Sequence, residues 1–191
     1  RIGYVSQFYT IEREKEVTVF DYISEEFVRL QNKINQICED MAATDHLEEL
    51  MEEYQQTLDE FNAIDGDFYE SNIRKQLKTA GLAGYEDQLL TNLSGGEFKL
   101  VQAIREMMIS PKFIIMDEPT ASLDPVAEAE IYEKFNSIIG DKTAIYISHR
   151  LSSCKFCDKI AVFHNGTVVQ MGSHETLAAD KKGKYFQLWM A

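Results

Sequence analysis

The spacing of apolar residues changes character along the chain. Ile2-Gly3-Tyr4-Val5-Ser6-Gln7 reads as the end of a strand, after which the period becomes helical. From Phe27 the apolar positions Leu30, Ile34, Ile37 and Met41 fall on one helix face. A second stripe follows at Leu47, Leu50, Met51, Tyr54, Leu58 and Phe61. Asp45 with Glu48 three residues later makes an N-cap box for the second helix. Joined by the short link 42–44, the two helices are expected to form an antiparallel hairpin. Asp65-Gly66 ends it, and residues 69–80 predict a third helix closed by Gly81.

Beyond Gly81 short strands alternate with helices. A helix is expected over 98–108, a strand over 112–117, a helix over 126–139 stopped by Gly140, and a strand over 143–148. Strand, helix, strand in that order implies parallel pairing, hence an α/β fold. Residues 158–163 and 167–170 flank Asn165-Gly166, the strongest short hairpin signal, and short helices follow from Ser173.

The composition fits a globular chain with a core. It has 191 residues, 45% of them hydrophobic and 27% charged, and no run near the roughly 20 apolar residues that span a bilayer. The start Arg1-Ile2-Gly3 lacks an initiator Met and a signal-peptide pattern, so the expectation is a cut, unexported chain, cytoplasmic and at most held at a membrane's inner face by a partner. Three cysteines, Cys38, Cys154 and Cys157, suit a reducing compartment. Cys154-x-x-Cys157 reads as two small half-buried residues more readily than as half a zinc site. The net charge of −13 is concentrated between Asp21 and Asp87, with 17 acidic and 5 basic side chains. Such a stretch repels phosphates, so direct DNA binding is not expected. Arg74, Lys75 and Lys78 form one small basic cluster, best read as a solvated helix face.

Chemistry is concentrated in the second half. Met116-Asp117-Glu118-Pro119 ends an apolar strand, the place where open α/β sheets bind ligands. Asp117 there could bind Mg²⁺ and Glu118 could polarise an attacking water, although acids at a strand end are often only solvated turn residues. Leu93-Ser94-Gly95-Gly96-Glu97 precedes a helix, where backbone N–H groups and the dipole favour an anion; a plain glycine-containing cap is the bland alternative. His149, just past a strand, can donate to a terminal phosphate. A lone histidine in that position would usually mean nothing. His46, His164 and His174 read as surface or hairpin residues. Gln7 could reach Mg²⁺ or the attacking water, and is uninformative alone.

Together these residues resemble the ATP-binding cassette (ABC) ATPase family over nearly the whole chain. Gln7 resembles the Q-loop glutamine and Leu93 to Glu97 the signature motif. Asp117 resembles the Walker B aspartate, Glu118 the catalytic glutamate, Ser122-Leu123-Asp124 the D-loop and His149 the switch histidine. Residues 1–119 are similar to the first cassette of ABC-F proteins, soluble twin-cassette ATPases that mostly act on ribosomes. Residues 120–191 are similar to exporter-type cassettes, which suggests a mosaic with its seam near 119–121. Ala121-Ser122 stands where ABC-F cassettes usually carry Asn-His.

The resemblance implies a partial ABC-type nucleotide-binding domain, its parallel-sheet core lacking the N-terminal Walker A segment, with an α-helical hairpin inserted. Residues 1–20 and 93–191 would form the ATPase core, and 21–92 a helical subdomain. ATP and Mg²⁺ are the implied cofactors. No Gly-x-x-x-x-Gly-Lys-Ser/Thr occurs in the sequence, so tight ATP binding by these residues alone is not expected, and uncovered apolar surface is. Two cassettes of the family close face to face. Ser94, Gly95, Gly96, Glu97 and Asp124 would then serve nucleotide across the interface, and Asp117, Glu118, Gln7 and His149 nucleotide on the same side. The partners implied are a second cassette and membrane domains on another segment. A ribosome-bound ABC-F ATPase and an inactive interaction fragment are the alternatives.

Overall fold

The computed structural model describes residues 2–6, 14–43, 47–109, 112–120 and 125–190, apart from the side chains at 125–127 and 152–153. Gln7, Asp45, His46 and the residues that resemble a D-loop, Ser122, Leu123 and Asp124, therefore lie outside the described residues. Three strands, β1 (Ile2–Val5), β2 (Phe113–Asp117) and β3 (Thr143–Ile147), form a parallel sheet in that order. Ile2 pairs with Phe113 and Val5 with Met116; Phe113 pairs with Thr143 and Asp117 with Ile147. The parallel α/β architecture expected from strand, helix, strand is present.

Among the described residues three α-helices precede Ser94. Helix α1 (Val19–Ala43) starts eight residues before the Phe27 stripe, because Val19, Tyr22 and Ile23 extend the buried face. Thr18 sets the start: its hydroxyl accepts from Asp21 N–H at 3.0 Å and donates to the Asp21 carboxylate at 2.7 Å. Helix α2 (Leu47–Ala63) packs along α1 as the expected hairpin, with Lys33 and Glu53 paired across it at 2.9 Å. Its stripe is buried only towards the base. Phe61 is covered, whereas Met51 stays 61% exposed. Helix α3 (Tyr69–Thr79) ends in a Schellman motif: Leu82 N–H donates to Leu77 C=O at 2.8 Å and Gly81 N–H to Lys78 C=O at 3.1 Å. Tyr69 stacks on Phe27 with ring centroids 5.1 Å apart, fixing α3 against α1.

Helix α4 (Gly95–Met108) and helix α5 (Pro125–Ile139) join the core that also holds Val5, Ile114 and Met116. The helix expected from residue 98 begins at Gly95, since Ser94 caps it and both glycines sit in its first turn. The other sheet face is open. Ile2, Tyr4, Ile145 and Ile147 are each between 46% and 54% exposed, aligned in register with half-buried Phe113, Ile115 and Asp117. Parallel sheets are ordinarily covered on both faces, so this apolar face matches the uncovered surface expected from the sequence.

The C-terminal part is a smaller cluster. Strands β4 (Ile160–His164) and β5 (Thr167–Gly172) pair antiparallel around Asn165 and Gly166, whose φ values of 49° and 77° are those of a type I′ turn. Helices α6 (His174–Ala179) and α7 (Lys184–Trp189) pack on them through Leu177 and Tyr185. His174 is not a bare surface residue as expected. Its ring Nδ1 lies 2.7 Å from the Tyr185 hydroxyl and the ring packs edge-on against Trp189, joining α6 to α7.

Candidate active site

The carboxyl end of the sheet gathers Asp117, Glu118 and His149. Asp117 is the last residue of β2, and one carboxylate oxygen accepts from the Tyr4 hydroxyl at 3.1 Å, leaving the other free of that bond. Glu118 steps off the strand with φ 47°, a left-handed backbone that costs a side-chain-bearing residue about 1 kcal/mol. Its N–H still donates to Ile147 C=O at 2.9 Å, which holds the turn against β3. The strained step tucks the side chain in: Glu118 is only 9% exposed, and its Oε1 accepts from the His149 backbone N–H at 3.1 Å. The same oxygen is 3.3 Å from His149 Nε2. The ring itself is 95% exposed and can turn away without breaking any packing.

A second group sits at the start of α4. Ser94 and Glu97 form a reciprocal capping box: Glu97 N–H donates to Ser94 Oγ at 3.3 Å and Ser94 N–H to Glu97 Oε2 at 2.8 Å. The Tyr85 hydroxyl donates to the other Glu97 oxygen at 2.8 Å. Burial pulls Glu97 upward, but the bonds from Ser94 and Tyr85, helped by Lys134, leave it below the usual carboxylate range. Both Glu97 oxygens thus face inward. Ser94 Oγ accepts from Glu97 N–H and its side chain also bonds the Glu97 carboxylate, while the residue stays exposed at the helix start. One turn on, buried Lys99 donates to the carbonyl of Ser6, tying α4 to the residue before Gln7.

The S-x-x-E spacing that makes this box was legible in the sequence, but the pairing with Tyr85 was not. Sequence reasoning also missed Tyr4 beside Asp117, and a group of buried Thr120 and Glu128 with half-buried Arg150. The Thr120 hydroxyl donates to Glu128 Oε1 at 2.9 Å, and Arg150 Nη1 lies 3.5 Å from Glu128 Oε2. Cys154 and Cys157 are half-buried, as expected, and burial, with the neighbouring Cys154 and Asp158, pushes the Cys157 thiol up to about 11.

Asp117 and Glu118 suit a hard cation that takes most of its ligands from phosphate and water. Among the described residues no three His, Cys, Asp or Glu side chains converge on a metal-sized space, so phosphate oxygens would have to complete its shell. The exposed Ser94 hydroxyl at a helix start suits a phosphate.

Comparison with known proteins agrees. The family model described as ABC transporter matches residues 1–121. The chain is 42% identical over 97 residues to "ABC transporter B family member 24, mitochondrial" of Arabidopsis thaliana, covering 51% of this chain and 14% of that protein. It is 39% identical over 101 residues to an ATP-dependent lipid A-core flippase of Syntrophus aciditrophicus, covering 53% and 17%. The chain spans between 7% and 17% of the length of such curated relatives. Among solved structures, a bacterial Atm1-family ABC exporter with ATP bound aligns at TM-score 0.53 and 29% identity, over 68% of this chain and 25% of that one. The ADP conformation of an ATP-binding cassette of an ABC transporter aligns at TM-score 0.64 over 100% of this chain and 68% of that one; at 22% identity it shows the fold. A strand-end acid pair facing a histidine, within a fold and a family model that both match, leaves one assignment: this chain belongs to the ABC transporter family.

Proposed function

We propose that this chain is part of an ATP-hydrolysing cassette that drives transport through membrane domains carried on another segment or chain. The observation that carries the reading is the Glu118 carboxylate, buried at the sheet's carboxyl end beside Asp117 and bonded to His149. Bound Mg²⁺ would neutralise charge on the phosphates during transfer. Asp117 would hold that ion through its remaining oxygen, and Glu118 would accept a proton from the attacking water. His149 would swing from Glu118 Oε1 to donate towards the terminal phosphate. Gln7, one residue past Ser6, would position the water or the ion.

In this reading Ser94, Gly95, Gly96 and Glu97 serve nucleotide held by a second cassette, Ser94 through its exposed hydroxyl and Glu97 by fixing the cap, with Asp124 at the same interface. The open face of Ile2, Tyr4, Ile145 and Ile147 is the seat for a phosphate-loop helix contributed from outside these residues. Residues 1–20 and 93–191 act as the ATPase core and 21–92 as the helical subdomain. No helix among the described residues is long and apolar enough to cross a membrane. In this reading the cassette works from the cytoplasmic side, through membrane domains it does not itself supply.

The test is Glu118→Gln in the whole encoded protein. Mg-ATP binding should stay within about threefold while turnover drops at least about a hundredfold, the range expected for losing a general base. Near-normal turnover would sink the assignment. The acidic α1–α2 hairpin favours a second reading, an ABC-F ATPase; co-sedimentation of the whole protein with ribosomes in ATP would favour it over transport.

A further inference from the structure

Glu118 and His149 meet at hydrogen-bond distance just beyond the paired ends of β2 and β3. Glu118 has left its strand on a strained φ, and the His149 ring is almost wholly in solvent. The Glu118 N–H bond to Ile147 C=O ties the first turn to β3 at its start, and a second tie lies beneath, at the residues beyond. Thr120 lies two residues past Glu118, and Arg150 lies one past His149. Between them is Glu128, on the first turn of α5 and only 2% exposed. Its Oε1 accepts from Thr120 at 2.9 Å, and its Oε2 faces Arg150 Nη1 at 3.5 Å. The Tyr132 hydroxyl, one helical turn further on, is 3.3 Å from Thr120 Oγ1 and backs the first arm. Tyr132 also stacks on Phe156 at 5.7 Å, which anchors the segment after Arg150 to the same helix. Glu128 and His149 line one cleft.

Burying a carboxylate is unfavourable unless both oxygens are engaged, and a fully engaged buried network is rigid. Here the two oxygens are divided between the two turns that carry the reacting side chains. We infer that Glu128 is a positioning residue: only 2% exposed, it clamps the Glu118 and His149 turns to one helix, so that α5 joins the β2–β3 pairing in setting their separation. Since α5 starts directly after the D-loop residues Ser122-Leu123-Asp124, a shift of α5 would move both turns together. The kinetic consequence rests on the ATPase reading above; the geometric one does not.

The experiment uses the whole encoded protein with Glu128→Gln, Thr120→Val, Arg150→Ala and Arg150→Lys, and reads amide hydrogen exchange beside Mg-ATP turnover. In Glu128→Gln, exchange at both turns, 118–120 and 148–150, should rise about tenfold or more while the α1–α2 hairpin is unchanged. Thr120→Val, which removes one arm and is nearly isosteric, should loosen 118–120 alone even if Glu128→Gln folds poorly. Turnover in Glu128→Gln and Arg150→Ala should fall at least about tenfold with KM for ATP within twofold, as for lost alignment, and Arg150→Lys should recover most of it. Unchanged exchange at both turns in Glu128→Gln, or a rise in KM with kcat intact, overturns the inference. If the wild-type protein hydrolyses no ATP, the ATPase reading falls, and the exchange result still decides the clamp.

Discussion

At the scale of single residues, the start of α4 shows how one serine and one glutamate close a helix end between them. Ser94 Oγ accepts from Glu97 N–H, its side chain bonds the Glu97 carboxylate, and the residue remains exposed at the helix start. Ser94→Ala should cost about 1 kcal/mol of stability, seen as a drop of about 2–4 °C in thermal midpoint. Glu97 adds a pH dependence of known sign. Its folded value lies below the ordinary carboxylate value, so the ionised form stabilises the fold above the unfolded pKa of about 4.3, and that contribution is lost as pH falls through the lower folded value. Thermal midpoints of wild type and Glu97→Gln should therefore differ at pH 7 and converge towards pH 3; a constant gap would mean that charge plays no part in the cap. Asp117, Glu118, His149 and Ser94 could be named from sequence because each falls at a strand or helix end. The Thr120–Glu128–Arg150 clamp could not, since it joins three segments through side chains, and no period or spacing encodes such a meeting.

Among the elements, the helical hairpin was the most legible and its base the least. The α1 stripe from Phe27 to Ile37 was readable because a 3.6-residue period leaves a visible trace. The turn after α2 was read only as a stop signal at Asp65-Gly66. The structure gives Gly66 a packing role: a Cβ there would lie 2.5 Å from the Phe61 ring, which is buried. Gly66→Ala should destabilise by about 1–3 kcal/mol through overpacking, and Gly66→Ala with Phe61→Leu should recover part of it in a denaturant titration. Substitutions at Met51, on the outer part of α2, should change stability by less than about 0.5 kcal/mol. The stripe could show which residues share a face, but not that the face runs out of partners before the helix does.

For the whole molecule, the open sheet face separates two states of the same strands. Ile145→Lys should be nearly neutral in the 191-residue chain, where that side chain is half exposed, and should destabilise the whole encoded protein by about 2 kcal/mol or more if another segment covers the sheet. Paired denaturation curves measure the difference, and equal effects would mean the face stays bare. The strand pairings have a further consequence, for the order in which the sheet assembles. Phe113 and its partner Thr143 are about 30 residues apart in the chain, whereas Ile2 and its partner Phe113 are about 110 apart. Loop closure over the longer span costs about 1 kcal/mol more, which slows that step relative to the nearer pairing. The β2–β3 pair and the α1–α2 hairpin can therefore form early, and β1 arrives last. Tyr4 and Ser6, which brace Asp117 and Lys99, arrive with it. The Tyr4–Asp117 and Lys99–Ser6 contacts would then form in the final step of folding, and in native-state exchange β1 should be the first strand to open.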